Sequence, residues 1–238
     1  MISVIGVYRF KRHYSCPTWL TEHLPKVDAS MMNKNPKHSV PISKLARVGN
    51  VTELSKMLHL YYDSYNLSDV YWANMISHAW GRSKSHDKWD RIHKIWMDLK
   101  NMNKINAAVI ANYLDLCGFY GSLNHLNEAW VFLNEKKPWM IVDNHYNSYI
   151  QALINLGAVE DALRTLQTMQ LHRITCKTLV TMIGPLHAKP DINQEILEKC
   201  WKWIEINGLI KTVNKQETRF SRLWNKFVEI QNQKRFQQ

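Results

Sequence analysis

The sequence predicts an all-α chain built as a solenoid of short helical hairpins, and three observations lead there. Apolar residues recur at i, i+3, i+4 and i+7 over segment after segment, the signature of amphipathic helices. A spaced skeleton of apolar residue, second apolar residue, turn residue and small residue returns about every 35 positions, which is the length of a two-helix repeat. With only eight Gly and seven Pro in 238 residues, and no long alternating Val/Ile/Thr runs, the turns and strands of a β fold are missing.

The chain begins with a basic, acid-free stretch. Residues 1 to 21 contain no Asp or Glu, and Arg9, Lys11 and Arg12 follow the apolar start Met1 to Tyr8. That run is too short to span a bilayer, and a secretory signal would carry its charge before the apolar run. Basic, acid-free and locally apolar is the composition of a mitochondrial presequence, expected here over residues 1–14 and implying a mitochondrial, matrix address. The plain alternative is a flexible basic terminus. Residues 15–38, with Pro17, Pro25 and Pro36 among Asn and Lys, read as a linker.

The repeats are expected over residues 39–213. Their clearest copy is Asp143 to Lys177. Tyr146, Tyr149, Ile150 and Leu153 lay one apolar stripe, Gly157 supplies a left-handed turn, and Val159, Ala162, Leu163, Leu166 and Met169 lay a second. Such a pair is too short to be stable alone, so it should stack on copies of itself. Ile42, Leu45, Gly49 and Leu54 repeat the skeleton without gaps. Leu114, Cys117 and Gly121 repeat it before a short insertion and Ala129. Ile76, Ala79 and Ser83 lead into the stripe Trp89, Ile92, Ile95, Trp96 and Leu99, and Ile183 and Leu186 begin a fifth copy. The anchors 42, 76, 114, 150 and 183 are spaced by 34, 38, 36 and 33 residues.

In residues 143–177 the Tyr146-Asn147 pair, the turn Gly157, the small Ala162 and the late Met169 stand at the offsets of a pentatricopeptide repeat, and the segment resembles that family. The resemblance implies a right-handed α-solenoid of about five helix-turn-helix units that binds single-stranded RNA, one base per unit, along its inner face. It further implies that the fifth and last residues of a unit read the base and the second flanks it. In the best unit these are Asn147, an amide able to donate and accept, and Lys177, where the family usually has an acid or amide. The other fifth positions are Ser39, Ala73, Ala111 and Val180, of which the last three have no hydrogen-bonding side chain. Val70 holds a second position, while Arg47 and Arg82 fall where the family often turns a cation to phosphate. Each of these also has an ordinary reading: a helix cap or surface amide for Asn147, solvated charge for the cations.

Residues 214–238 form a basic amphipathic helix, with Phe220, Leu223, Trp224, Phe227 and Ile230 on one side and Arg219, Arg222 and Lys226 on the other. A solenoid's last unit needs its open face covered, and this helix can serve as the cap.

Composition narrows function. Thirty-one Lys and Arg against 20 Asp and Glu give +11, an electrostatic footprint for a polyanion. Residues 143 to 177 are balanced, three basic to three acidic, whereas 211 to 238 carry seven basic and two acidic groups. Cys16, Cys117, Cys176 and Cys200 have no zinc or disulfide spacing, and Cys117 reads as a small buried hydrophobe. His86 and His93 are not at metal-ligand spacing, and no phosphate loop or nucleophile elbow occurs. The ten Trp suit packing between repeats, with Trp139, beside Pro138, expected exposed. The expectation is a non-enzymatic protein without cofactor or small-molecule substrate. Its partner is expected to be mitochondrial mRNA or rRNA, alone or in the mitochondrial ribosome, in transcript processing, stability or translation. Membrane contact is at most peripheral. The rival is a protein-binding solenoid, a scaffold or assembly factor for a mitochondrial complex.

Overall fold

A computed structural model describes residues 16–27, 41–188, 190–210 and 218–235. The expected presequence over residues 1–14, half of the expected linker (15 and 28–38), and Ser39 lie outside them. The described residues are all-α, with no strand among them. No helix among them is long and apolar enough to cross a membrane. The chain divides into two compact units, Met1–Lys104 and Ile105–Gln238.

In the first unit the elements are α1 (Thr18–Thr21), α2 (Ile42–Arg47), α3 (Val51–Tyr65), α4 (Asp69–Arg82) and α5 (Lys88–Asn101). α3 and α4 start where a side chain satisfies a free backbone N–H. Asn50 Oδ1 accepts from Glu53 N at 3.0 Å, and Ser68 Oγ accepts from Tyr71 N at 3.2 Å. Gly49 ends α2 with φ +70° and rests on α4, where a Cβ would come within 2.5 Å of the Arg82 carbonyl carbon. Only glycine meets both conditions. α2 packs on α4 and each packs on its own second helix. Of the expected stripe, Ile92, Ile95, Trp96 and Leu99 are buried while Trp89 is half-buried, and Trp72 is fully enclosed.

Residues 16–27 depart from the linker expectation. Leu20, His23 and Leu24 are buried, and long-range hydrogen bonds fasten the segment to α3 and α4. Trp80 Nε1 donates to the His23 carbonyl at 2.7 Å, and Ser55 Oγ donates to the Pro25 carbonyl at 2.9 Å. His23 Nε2 lies 2.9 Å from Asp98 Oδ2. Burial lowers the His23 pKa, against the opposing pull of the Asp98 carboxylate. Prolines and local polarity suggested a loose strand of chain. Two spaced leucines and a carbonyl within reach of Trp80 make it a strap.

The second unit holds α6 (Ala107–Tyr120), α7 (Leu123–Lys136), α8 (Asp143–Asn155), α9 (Val159–Thr168), α10 (Cys176–Ala188), α11 (Pro190–Ile206) and α12 (Thr218–Arg235). Two 3₁₀ turns, Pro138–Met140 and Leu171–Arg173, lead into α8 and α10. Asn106 caps α6 by accepting from Val109 N at 3.0 Å. Thr175 and Thr178 cap α10 reciprocally, each backbone N–H 3.2 Å from the other's hydroxyl. Gly157 has φ +83°, the left-handed turn expected there, and Ala162, Leu166 and Met169 are buried. The first helices α6, α8 and α10 pack in sequence, and the second helices α9 and α11 also meet. α12 packs on α10. Its Phe220 is buried, and Trp224 and Phe227 gather with it around Trp201 at centroid distances of 5.1 to 5.6 Å.

Four first helices begin at Asp69, Ala107, Asp143 and Cys176, each seven residues before an anchor at 76, 114, 150 or 183. Within each unit, helical hairpins therefore follow the period read from the sequence.

Candidate nucleic-acid interface

The first helices of the second unit position the candidate site. α6 and α8 approach closely because Gly118 has no side chain: a Cβ there would lie 2.6 Å from Ala152 Cα and 2.8 Å from Ala152 Cβ. At the start of α8 the buried His145 fixes the register. Its Nδ1 accepts from Val142 N at 3.1 Å, which makes Nε2 the donor to the Ala107 carbonyl at 2.8 Å. One ring thus caps α8 and ties it to the start of α6.

That anchoring presents one polar strip. Asn144, Asn147, Gln151 and Asn155 follow at i, i+3, i+7 and i+11, the complement of the stripe Tyr149, Ile150 and Leu153 buried against the core. Gln151 Nε2 donates to Asn155 Oδ1 at 3.0 Å. The exposed Lys177 of α10 reaches across and donates to Asn144 Oδ1 at 3.2 Å. Between these pairs Asn147 is 6% exposed, and its Oδ1 has no hydrogen-bond partner. An orphaned buried acceptor of this kind costs about 1–3 kcal/mol, and a ligand donor would offset it. Amides beside a cation can recognise a base edge and a phosphate together.

The structure also settles where each expected residue stands. Asn147 is enclosed, and so are Ala73, Ala111 and Val180 at the matching positions of α4, α6 and α10. The fifth place in these helices is a buried place, and Asn147 is its polar member. Lys177 is the second residue of α10 and so matches Asn144, Ala108 and Val70. The residue that ends the preceding unit is Thr175, the α10 cap. The expectation of Lys177 as a last residue is corrected by the helix start at Cys176: the unit is 33 residues long, and a count of 35 overruns it. In the first unit, Arg47 and Arg82 are the exposed last residues of α2 and α4. Gly49 against the Arg82 backbone brings those two helix ends together, and the helix dipoles favour cations there. Val70, half-buried, starts α4 at the other end, about 18 Å from Arg82 by helical rise. Arg47 and Arg82 therefore form a pair that excludes Val70.

Sequence reasoning missed Asn144, Gln151, Asn155 and the anchoring role of His145. The amide spacing was available as a signal; the His145 contact, 38 residues away, was not. Among the described residues no group of three or more His, Cys, Asp or Glu could hold a metal ion. The chain matches no protein-family model and no curated protein.

Proposed function

We propose that this chain is a pentatricopeptide-like repeat protein that binds single-stranded RNA in the mitochondrial matrix. The resemblance of residues 143–177 supports reading the hairpins as repeats of a right-handed α-solenoid. The chain acts on organellar transcripts in processing, stability or translation, alone or within the mitochondrial ribosome. The observation that carries the reading is the Lys177–Asn144 pair beside the unpartnered Oδ1 of buried Asn147 on a layer of packed first helices. The net charge of +11 supports a polyanionic partner. Few side chains able to read a base favour recognition of backbone and shape, or attachment to a ribonucleoprotein, over reading of a long sequence.

Binding of labelled oligoribonucleotides should be measured from about 50 to 200 mM salt. If three phosphates are neutralised, affinity should fall about 20-fold across that range. Cross-linking in isolated mitochondria then identifies the bound transcript. Recovery of a stable protein complex without RNA would instead establish the protein-binding scaffold, a reading favoured by exposed Phe119 and Ile206.

A further inference from the structure

We infer that the two 3₁₀ turns leading into α8 and α10 form a nucleobase-stacking edge, with Trp139 as its main platform and His172 as its second. This rests on the RNA-binding reading and assigns it a surface. Trp139 is 71% exposed, while Trp72, Trp80, Trp96 and Trp201 are buried. Lys137 Nζ stands 5.7 Å from the Trp139 ring centroid, so a cation accompanies one face of an indole that otherwise meets solvent. An exposed indole of this size loses nothing by pairing with a flat apolar partner, and every nucleobase offers one.

The placement repeats. Trp139 is the middle residue of Pro138–Met140, and exposed His172 is the middle residue of Leu171–Arg173. They are 33 residues apart, the same interval as the starts of α8 and α10. Because α8 and α10 pack side by side, the two rings lie at equivalent places on adjacent hairpins. Imidazole also stacks with bases. Exposed Lys136 and Lys177 and half-buried Arg173 border the turns, against Glu135 and Asp143, so the edge is net basic. Lys177 also holds Asn144, which places the stacking edge beside the amide strip. A single strand with stacked bases and a phosphate backbone matches this alternation of rings and cations. A protein partner is the competing outcome.

The test is binding of the full-length protein and Trp139→Ala, Trp139→Phe and His172→Ala variants to labelled oligo(U) and oligo(A) of about ten nucleotides. Parallel photo-cross-linking with 4-thiouridine RNA reads which peptide touches a base. Trp139→Ala should weaken binding about tenfold or more, with unchanged melting temperature and unchanged salt slope, because it removes a neutral contact. Phenylalanine should restore most of the affinity, His172→Ala should cost less, and the cross-link should fall in the peptide containing Trp139. Salt-dependent RNA binding that is indifferent to Trp139→Ala overturns the stacking edge and leaves the RNA reading standing. A loss of binding matched by a loss of melting temperature overturns it too, as a folding effect. Absence of RNA binding by the unaltered protein removes both, and a protein retained through Trp139 in that case establishes the competing partner.

Discussion

Gly118→Ala gives the sharpest test of the packing that underlies the candidate interface. In an exposed helix this change stabilises by about 1 kcal/mol through helix propensity. Here the new methyl carbon would sit 2.6 Å from Ala152 Cα and 2.8 Å from its Cβ, about 1 Å inside the normal carbon–carbon separation of about 3.5–4.0 Å. The Cα is backbone, so no rotamer change relieves the clash, and α6 and α8 must part. Overpacking typically costs about 1–3 kcal/mol. With rigid backbone on the far side the upper figure applies, leaving a net loss of about 2 kcal/mol after the propensity gain. That corresponds to a melting temperature lower by about 4–8 °C and a urea midpoint lower by about 1 M. Removing the facing methyl with Ala152→Gly relieves only one of the two contacts, so the double variant should be destabilised by less than the sum of the single changes. Urea titration followed by circular dichroism reads all four proteins. A Gly118→Ala variant as stable as the parent, or more so, would refute the close approach of α6 and α8.

Trp80→Phe removes the donor to the buried His23 carbonyl and should cost about 1–3 kcal/mol, with hydrogen exchange rising selectively over residues 16–27; uniform exchange would show that the strap is held elsewhere. Stability should decline on acidification below about pH 6.5, the unfolded histidine value, because burial lowers the pKa of His23 and His187 in the folded chain. The unfolded state then binds more protons and gains as pH falls, while protonated His187 loses its acceptance from Trp201 Nε1, which stands 3.3 Å away. A melting temperature that is flat from pH 7.5 to 5.5 contradicts this. Burial pushes the Cys117 and Cys200 thiols up to about 12, so neither should react with a thiol reagent until urea unfolds the chain.

Local pattern carried much of the architecture. The stripe Tyr149, Ile150 and Leu153, the left-handed Gly157 and the start of α8 at Asp143 all depend on residues within two turns of one another, and spacing along one chain encodes them. The expected stripe of α12 likewise faces the protein at Phe220, with Arg219, Arg222 and Lys226 exposed on its other side. The candidate site was legible only in part. Asn147 stood out by its place beside Tyr146, but nothing near it announced that the fifth position is enclosed, since enclosure depends on the neighbouring first helices. Counting residues put Lys177 at the end of a unit, whereas the reciprocal Thr175–Thr178 cap fixes the helix start and moves it onto α10.

By itself, then, the sequence determined the repeat helices from Ile42 onward, the turn at Gly157, and the apolar side of those helices, because helix period and turn chemistry act over a few residues. Only the tertiary structure decided what each apolar side meets: Ala152 against Gly118, the strap carbonyl of His23 against Trp80, the Ala107 carbonyl against His145. It also decided which polar groups were left unpaired or exposed. Those outcomes depend on contacts between residues tens of positions apart, whose free energy appears only once the chain has closed the loops between them.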